Sequence, residues 1–154
     1  MQPFDELPPL PGVTRTDYQS EAYGVNSFGD VVGYAQNQSL ASRAFKYVPG
    51  GGGTMIDLNT LLPPNSPWVL TKAQSINEVG DVVGYAQNQS LASRAFKYVP
   101  GGGGTMIDLN TLLPPNSPWV LTKAQSINEV GVIVGYGTYS GRATAWILYP
   151  QCQD

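Results

Sequence analysis

Short alternations of apolar and polar residues run along the chain, and each is bounded by residues that favour turns. The segment Arg94–Val99 places Ala and Lys on one face and Phe and Tyr on the other, as a half-buried strand does. The segment Val82–Tyr85 is apolar on both faces, which predicts a strand that is covered on both sides of its sheet. A helical period of 3.6 is not sustained over about ten residues anywhere in the sequence. The pattern therefore predicts an all-β fold.

The same pattern returns after 51 residues, because residues 29–79 and 80–130 are identical. The segment 131–150 follows the template again with one residue fewer in a loop, so that Ala145-Trp146 aligns with Ala95-Phe96. The segment 4–28 aligns without gaps with residues 55–79. Self-similarity at a fixed period is the signature of a repeat architecture. The sequence predicts one repeat domain over 1–154, with units at about 4–54, 55–105 and 106–150 and a tail at 151–154.

Four strands are predicted in each repeat unit. Asn77 and Gly80 favour a tight turn between the first and second strands, because Asn caps such turns and Gly adopts positive φ. A polar stretch links the second strand to the third, and a run of four glycines links the third to the fourth. Three prolines within residues 112–119 disfavour helix and central strand in the connection to the next unit. In the central copy the predicted strands are Ala73–Asn77, Asp81–Ala86, Arg94–Val99 and Thr105–Leu109.

The number of strands per repeat indicates the architecture. Four antiparallel strands in a repeat of about 40–50 residues are typical of a β-propeller blade. A β-helix would need shorter repeats, and a leucine-rich horseshoe would need a consensus that this sequence lacks. The sequence therefore predicts a β-propeller with four-stranded antiparallel blades, three of them in each chain.

The spacing of individual residues resembles the HAF repeat of bacterial extracellular proteins. In the central copy the matching residues are Ala73, Ile76, Asn77, Gly80, Val82, Val83, Gly84, Tyr85, Ala95, Phe96, Tyr98, Met106, Asp108, Leu109 and Leu112. The outer units depart from the pattern, since Phe4-Asp5-Glu6-Leu7 replaces Met-Ile-Asp-Leu and Trp146 replaces Phe. The resemblance implies a propeller-like β architecture and a cell-surface or secreted setting. It implies no catalytic residues.

The two ends of the chain are out of step with the repeat. The first unit begins with a fourth-strand segment, Phe4–Leu10, and the last unit stops after a third strand, Ala145–Tyr149. Closed propellers have roughly 4–8 blades, so we expect closure between chains. Two chains would form a six-bladed ring in which each N-terminal strand completes the partner's last blade. A nine-bladed trimer and an open fragment of a larger propeller are the alternatives. The residues expected at closure are Phe4, Leu7, Leu10, Ala145, Trp146, Ile147, Leu148 and Tyr149.

Candidate ligand contacts are polar or aromatic residues that recur once per unit. The asparagines at the first hairpin either cap a turn or line a binding face. The tryptophans of the proline-rich connection either pack between blades or stack on a sugar ring. The arginines before the third strand are either solvated charges or anion ligands. These residues are Asn26, Asn77, Asn128, Trp68, Trp119, Arg43 and Arg94.

Three further recurring sets are predicted to be structural. The tyrosines that end the second strand are expected to pack between blades with their hydroxyl at a polar edge. The aspartates of the fourth strand are expected to make structural hydrogen bonds, and the lysines near the first strand to be solvated charges. These residues are Tyr34, Tyr85, Tyr136, Asp57, Asp108, Lys72 and Lys123.

The composition narrows the range of functions. With 8 Lys and Arg against 11 Asp and Glu, the formal charge is −3, which disfavours nucleic acid as a partner because such binding needs clustered basic residues. The chain has no His, which excludes Ser-His-Asp and Cys-His catalysis and His-ligated zinc. The single Cys152 cannot form an intrachain disulfide. We predict no catalytic residue, no metal site and no cofactor.

The sequence gives little information about the compartment. Residues 1–12 lack the basic and apolar regions of a signal peptide. No apolar run reaches the ~18 residues needed to cross a bilayer, so no membrane span is expected. Only the family resemblance indicates an extracellular or cell-surface location.

Three classes of function remain. The leading interpretation is a non-enzymatic, self-assembling propeller with a structural or adhesive role. A sugar-binding lectin with one site per blade is the alternative, since repeated sites give multivalent binding. The two identical copies also indicate a recent duplication or an engineered protein, whose properties would be folding and oligomerisation. An enzyme acting in the central channel is disfavoured by the absence of His and of any catalytic motif.

Overall fold

The computed structural model of the chain describes residues 5–101 and 104–151. Over these residues the chain forms three antiparallel sheets that follow one another along the sequence, with two short 3₁₀ helices between them. In every sheet the strands are hydrogen-bonded in sequence order. The prediction of an all-β fold is confirmed.

The bounds of the elements are as follows. The first sheet contains β1 Ser20–Val25, β2 Val31–Gln36, β3 Ser42–Val48 and β4 Thr54–Asp57, and a 3₁₀ helix follows at Leu58–Leu61. The second sheet contains β5 Val69–Ile76, β6 Val82–Gln87, β7 Ser93–Val99 and β8 Thr105–Asp108, and a 3₁₀ helix follows at Leu109–Leu112. The third sheet contains β9 Trp119–Ile127, β10 Ile133–Tyr139 and β11 Arg142–Leu148.

The four strands predicted in the central copy are all present, although six of their eight boundaries differ, five of them by a single residue. β5 begins at Val69 rather than Ala73, because Val69 and Leu70 already pair with β6 and the Leu70 side chain is fully buried. β8 ends at Asp108 rather than Leu109, because the Asp108 carboxylate accepts a hydrogen bond from the Asn110 amide and caps the 3₁₀ helix.

Each sheet has two faces with different side chains. The leading face carries the aromatic residue of the third strand, which is Phe45, Phe96 or Trp146, and the trailing face carries the alanine before it. Successive strand residues point to opposite faces, so this division follows from the alternation seen in the sequence. The trailing face of each sheet packs on the leading face of the next, and two core clusters lie at these interfaces.

A glycine in each second strand allows the first strand to approach closely. A Cβ atom on Gly84 would lie 2.0 Å from the Lys72 carbonyl oxygen, beside an irregularity in the pairing of β5. Gly84 pairs with Phe96 and Gly135 pairs with Trp146. The structure therefore confirms the predicted alignment of the last unit, loop deletion included.

The leading face of the first sheet is partly covered by the N-terminal segment. Leu10 is only 2% exposed and packs with Ala35, Phe45 and Met55, and Leu7 joins the same cluster. Residues 5–10 contain no strand, so the described part of the predicted fourth-strand segment is not a strand in the single chain. The two leucines expected at closure anchor this segment to their own first sheet. Phe4, the other residue expected there, lies outside the described residues.

Among residues 5–101 and 104–151, no helix has the length and apolar character needed to cross a membrane.

Candidate functional site: the open faces of the sheet stack

The trailing face of the third sheet is exposed, although its counterparts are buried. Val83 and Ala95 of the second sheet are fully buried, whereas Val134 is 39% exposed and Ala145 is also exposed. Ile147 on the same face is 52% exposed. A contiguous exposed apolar face of this kind typically marks an interaction surface.

The inner half of the leading face of the first sheet is exposed in the same way. Ala22 is exposed, whereas its counterpart Ala73 in the second sheet is fully buried. Val25 is 64% exposed, whereas Ile76 at the aligned position is 6% exposed. Both ends of the stack therefore present faces whose internal copies lie in a core.

The third sheet has lost an ion pair that the other two sheets keep. Lys97 and Asp81 approach to 3.5 Å in the second sheet, and Lys46 and Asp30 occupy the same places in the first. At the aligned positions of the third unit, Val132 replaces the aspartate and Ile147 replaces the lysine. The exposed trailing face is thus more apolar than its buried counterparts.

A hydrophobic slot of about 240 Å³ lies beside β11, and its walls include Leu113, Trp119, Trp146 and Leu148. In the second sheet the aligned Leu62 and Trp68 pack against a core cluster together with Met106 of β8. The described part of the third sheet has no fourth strand and so no residue equivalent to this methionine. The slot accordingly lies where β8 stands in the second sheet.

The hairpin asparagines form a ladder of hydrogen bonds between the sheets. The side-chain amide of Asn26 donates to the carbonyl oxygen of Asn77 at 3.2 Å, and that of Asn77 donates to the carbonyl oxygen of Asn128 at 3.1 Å. Each Oδ1 also accepts main-chain bonds of its own turn, for example from Asp81. The predicted turn-capping role is therefore confirmed for Asn77, and a second role between sheets is added.

Glutamates beside this ladder join the same hairpins. The Glu78 carboxylate accepts hydrogen bonds from the amide and hydroxyl of Ser27, and the Glu129 carboxylate accepts one from the Glu78 amide at 2.9 Å. In each case a residue of one sheet is held by the residue 51 positions later. Glu129 is the last residue of this series, and no carboxylate in the described chain accepts a hydrogen bond from its main-chain amide.

Tyrosines and lysines form a second set of contacts between sheets. The Lys72 ammonium lies 4.4 Å from the ring centre of Tyr34, and the Lys123 ammonium lies 4.4 Å from that of Tyr85. Such cation–π contacts are favourable, because the ring face is electron-rich. The interpretation of these lysines as solvated charges is therefore incomplete. Tyr34 and Tyr85 pack between sheets as predicted, whereas Tyr136 is 40% exposed.

The remaining candidate ligand residues are engaged in local contacts. Trp68 is half-buried against the first core interface, and the Trp119 ring meets Tyr139 edge-on at 5.0 Å between ring centres. Each guanidinium of Arg43 and Arg94 donates to the carbonyl oxygen of the preceding serine. The structure does not bring the arginines, tryptophans and asparagines together into one pocket.

A groove of about 550 Å³ lies beside Trp68, and its polar lining includes Ser66, Asp108 and Thr111. The Ser66 hydroxyl accepts a bond from the Trp68 amide, the Asp108 carboxylate caps the 3₁₀ helix, and the Thr111 hydroxyl donates to the Asp108 carbonyl. These polar groups are therefore already partnered within the chain.

One recurring contact between sheets was not predicted from the sequence. The side chain of Asn59 makes two hydrogen bonds to the next sheet, donating to the carbonyl oxygen of Leu70 and accepting from its amide. Asn110 makes the same two hydrogen bonds with Leu121. Their recurrence at the repeat period was the available signal. Pro8 stands at the aligned position of the N-terminal segment, which therefore lacks this contact.

Two observations bear on metal binding and on buried polar groups. Within it, no group of three or more His, Cys, Asp or Glu residues could hold a metal ion. The buried indole N–H of Trp146 has no hydrogen-bond partner among these residues, because tryptophan stands where the other units have phenylalanine.

Comparison with protein-family models, with curated proteins and with solved structures yields no match to this chain.

Proposed function

We propose that the chain is a non-enzymatic, self-assembling module with a structural or adhesive role, in which two copies close a six-bladed, propeller-like ring. The observation that carries this proposal is the exposure of two apolar faces whose internal counterparts form the core. Burial of apolar surface is the main favourable term in protein association. Each copy would cover the trailing face of its partner with its own leading face.

The internal interfaces supply a template for the contact between copies. Val32 and Ala44 pack in one core cluster with Ala73 and Ile76 of the next sheet. In the same register, the trailing-face Val and Ala of the third sheet would pack on the leading-face Ala and Val of a second copy. The residues that would meet are Val134 and Ala145 on one side and Ala22 and Val25 on the other.

The unpaired edge of β11 would receive the N-terminal segment of the partner. In the second sheet Tyr98 pairs with Met106. The repeat alignment places Leu148 at the position of Tyr98 and Phe4 at the position of Met106. The partner's Phe4 would therefore fill the slot beside Trp119, and pairing would remove an open strand edge.

Two chains are favoured because closed propellers commonly have roughly 4–8 blades, a range that includes six but not nine. A head-to-tail contact that closes does not propagate into fibres. The resemblance to the HAF repeat is in keeping with this arrangement and supports a cell-surface or secreted setting.

Light scattering coupled to gel filtration at micromolar concentration tests the assembly. The expected mass is twice the chain mass of 16.5 kDa. A monomer would contradict self-assembly. A mass of three chains would support the proposed contact and contradict the six-bladed ring.

Carbohydrate binding at the groove beside Trp68 is the alternative function. A half-buried tryptophan with hydroxyl groups nearby is the observation in its favour. Assembly is the better-supported proposal, because these hydroxyl groups already form hydrogen bonds within the chain. A glycan array with the folded chain decides between them, with a Trp68→Ala variant as control. Reproducible binding that the variant loses would establish a lectin.

If the ring forms and no ligand is found, the third class of function applies, in which the chain only folds and oligomerises. The identity of the two 51-residue copies, which indicates a recent duplication or an engineered protein, is in keeping with that class.

A further inference from the structure

The lysine–tyrosine contacts follow one rule at both internal interfaces. Lys72 and Lys123 belong to the first strands of the second and third sheets, and each lies over a tyrosine of the preceding sheet. Lys123 also lies 5.6 Å from the ring centre of Tyr136 in its own sheet. Each interface therefore contains a tyrosine between two charged positions, one from each sheet.

The first sheet breaks this rule, because Glu21 stands at the position of the two lysines. Its carboxylate accepts hydrogen bonds from the hydroxyl groups of Tyr23 at 2.8 Å and Tyr34 at 3.1 Å. These bonds and the charge of Lys72 lower the pKa of Glu21, which is therefore ionised at neutral pH. The carboxylate thus lies at the first internal interface, where Tyr34 contacts both Glu21 and Lys72, and it stands at the position where the other units carry a lysine.

The trailing end of the stack carries the opposite charge. Tyr136 is 40% exposed and has no following sheet in the described chain. Hydrogen bonding with the Tyr136 hydroxyl raises the pKa of Lys123, which keeps its ammonium group charged. The first and third sheets therefore carry opposite charges at the aligned positions Glu21 and Lys123.

A second copy docked in the register of the internal interfaces would place its Glu21 near the Tyr136 hydroxyl and Lys123, since Glu21 contacts tyrosines through their hydroxyl groups. This step rests on the proposed self-assembly. We infer that Glu21 selects the junction between chains, by pairing with Lys123 of the other copy at the interface that no peptide linkage holds together. The internal interface around Tyr85 differs, because Lys123 lies over that ring and the cross-strand partner of Tyr85 is also a lysine, Lys72.

The junction between chains would be selected by electrostatic complementarity across the interface. Opposite charges favour the correct docking partner, and like charges disfavour wrong ones. A leading face with lysine at position 21 would meet Lys123 with a like charge. The glutamate therefore favours closure between the third and first sheets.

Sedimentation velocity at about 50 mM and about 500 mM NaCl tests this inference, since salt screens charge pairs. Wild-type assembly is expected to weaken with salt. Glu21→Lys is expected to raise the dissociation constant at low salt at least about tenfold and to reverse that salt dependence, because salt also screens repulsion between like charges. The double variant E21K/K123E reverses both charges and is expected to recover wild-type affinity to within about threefold.

Glu78→Lys is the matched control, because it makes the same change of charge at an internal interface. It is expected to leave the dissociation constant within about threefold of the wild type. Circular dichroism verifies folding of each variant, and Glu21→Gln serves as a milder substitution if Glu21→Lys does not fold.

The two proposals fail in distinguishable ways. A monomeric wild-type chain would overturn the proposed function and this inference with it. A wild-type assembly that Glu21→Lys leaves intact, with unchanged salt dependence, would overturn the role of Glu21 alone. Failure of the reversed pair to recover affinity would show that Glu21 does not act through Lys123.

Discussion

The second and third sheets have closely similar sequences, yet their trailing faces lie in opposite environments. Val83 and Ala95 are fully buried, whereas Val134 and Ala145 are exposed. A further sheet packs on the second one, and in the described chain none packs on the third. Burial at these positions is therefore decided by the neighbouring sheet and not by the strand itself.

The comparison shows what a hydrophobic pattern specifies. Alternation along a strand defines a face that needs cover, but the pattern does not say which sheet provides it. In a repeat stack each unit covers its neighbour, so the terminal units carry the unsatisfied faces. The replacement of the Asp81–Lys97 pair by Val132 and Ile147 makes this end still more apolar.

The largest difference in stability is expected between two arginine substitutions at aligned positions, Ala95→Arg and Ala145→Arg. Ala95→Arg should prevent folding, because it places a bulky charged group between two packed sheets. An unpaired buried charge costs roughly 3–5 kcal/mol, a large part of a typical stability of roughly 5–15 kcal/mol. Circular dichroism and urea denaturation measure the loss.

Ala145→Arg is the matched variant on the open face. It should change the free energy of unfolding of the single chain by less than about 1 kcal/mol, because the site is exposed. Assembly should be lost, which light scattering detects. The comparison would be wrong if both variants unfolded the chain or if Ala145→Arg still assembled.

A smaller difference is expected within the asparagine ladder. Asn77 is 1% exposed, caps its own turn and donates to Asn128, so Asn77→Ala should cost about 2–3 kcal/mol. Asn128 is exposed and its side chain makes only turn contacts in the described chain, so Asn128→Ala should cost about 1 kcal/mol or less. Urea denaturation of monomeric Ala145→Arg chains compares the two, and equal losses would contradict an inter-sheet role for Asn77.

Sequence periodicity identified the strands because each strand is a local feature. The strand at Arg94–Val99 and the Asn77 turn both follow from neighbouring residues, and both are confirmed. The expectation that this strand is half-buried is wrong, because Ala95 and Phe96 are both fully buried between sheets. The contacts between sheets could not be predicted in this way, since they join residues 51 positions apart. Lys123 was predicted to be a solvated charge near a strand, and nothing in the sequence pattern indicated that its ammonium group lies over the Tyr85 ring. The packing of Leu10 on its own first sheet was likewise not predicted, because it joins residues distant in the sequence.

Trp146→Phe would make the third sheet more like the second. The substitution removes a buried N–H that lacks a partner in the described chain, which is favourable, and leaves a small void, which is not. We expect the two effects to offset each other to within about 1 kcal/mol. Urea denaturation measures the sum, and a loss above about 3 kcal/mol would show that the indole fills a space that phenylalanine cannot.

The smallest effect is a pH dependence at Glu21, for which the Ala145→Arg background keeps the chain monomeric. The hydrogen bonds from Tyr23 and Tyr34 lower the pKa of Glu21, so the folded state favours the ionised carboxylate. This contribution to stability is present above the ordinary glutamate pKa of about 4.5 and is lost as the pH falls through the lower folded value. Glu21→Gln should therefore be less stable than its parent at neutral pH, and the gap should close in acid. Urea denaturation of both proteins between about pH 3 and 7 tests this, and a gap that stays constant would show that the carboxylate charge contributes nothing.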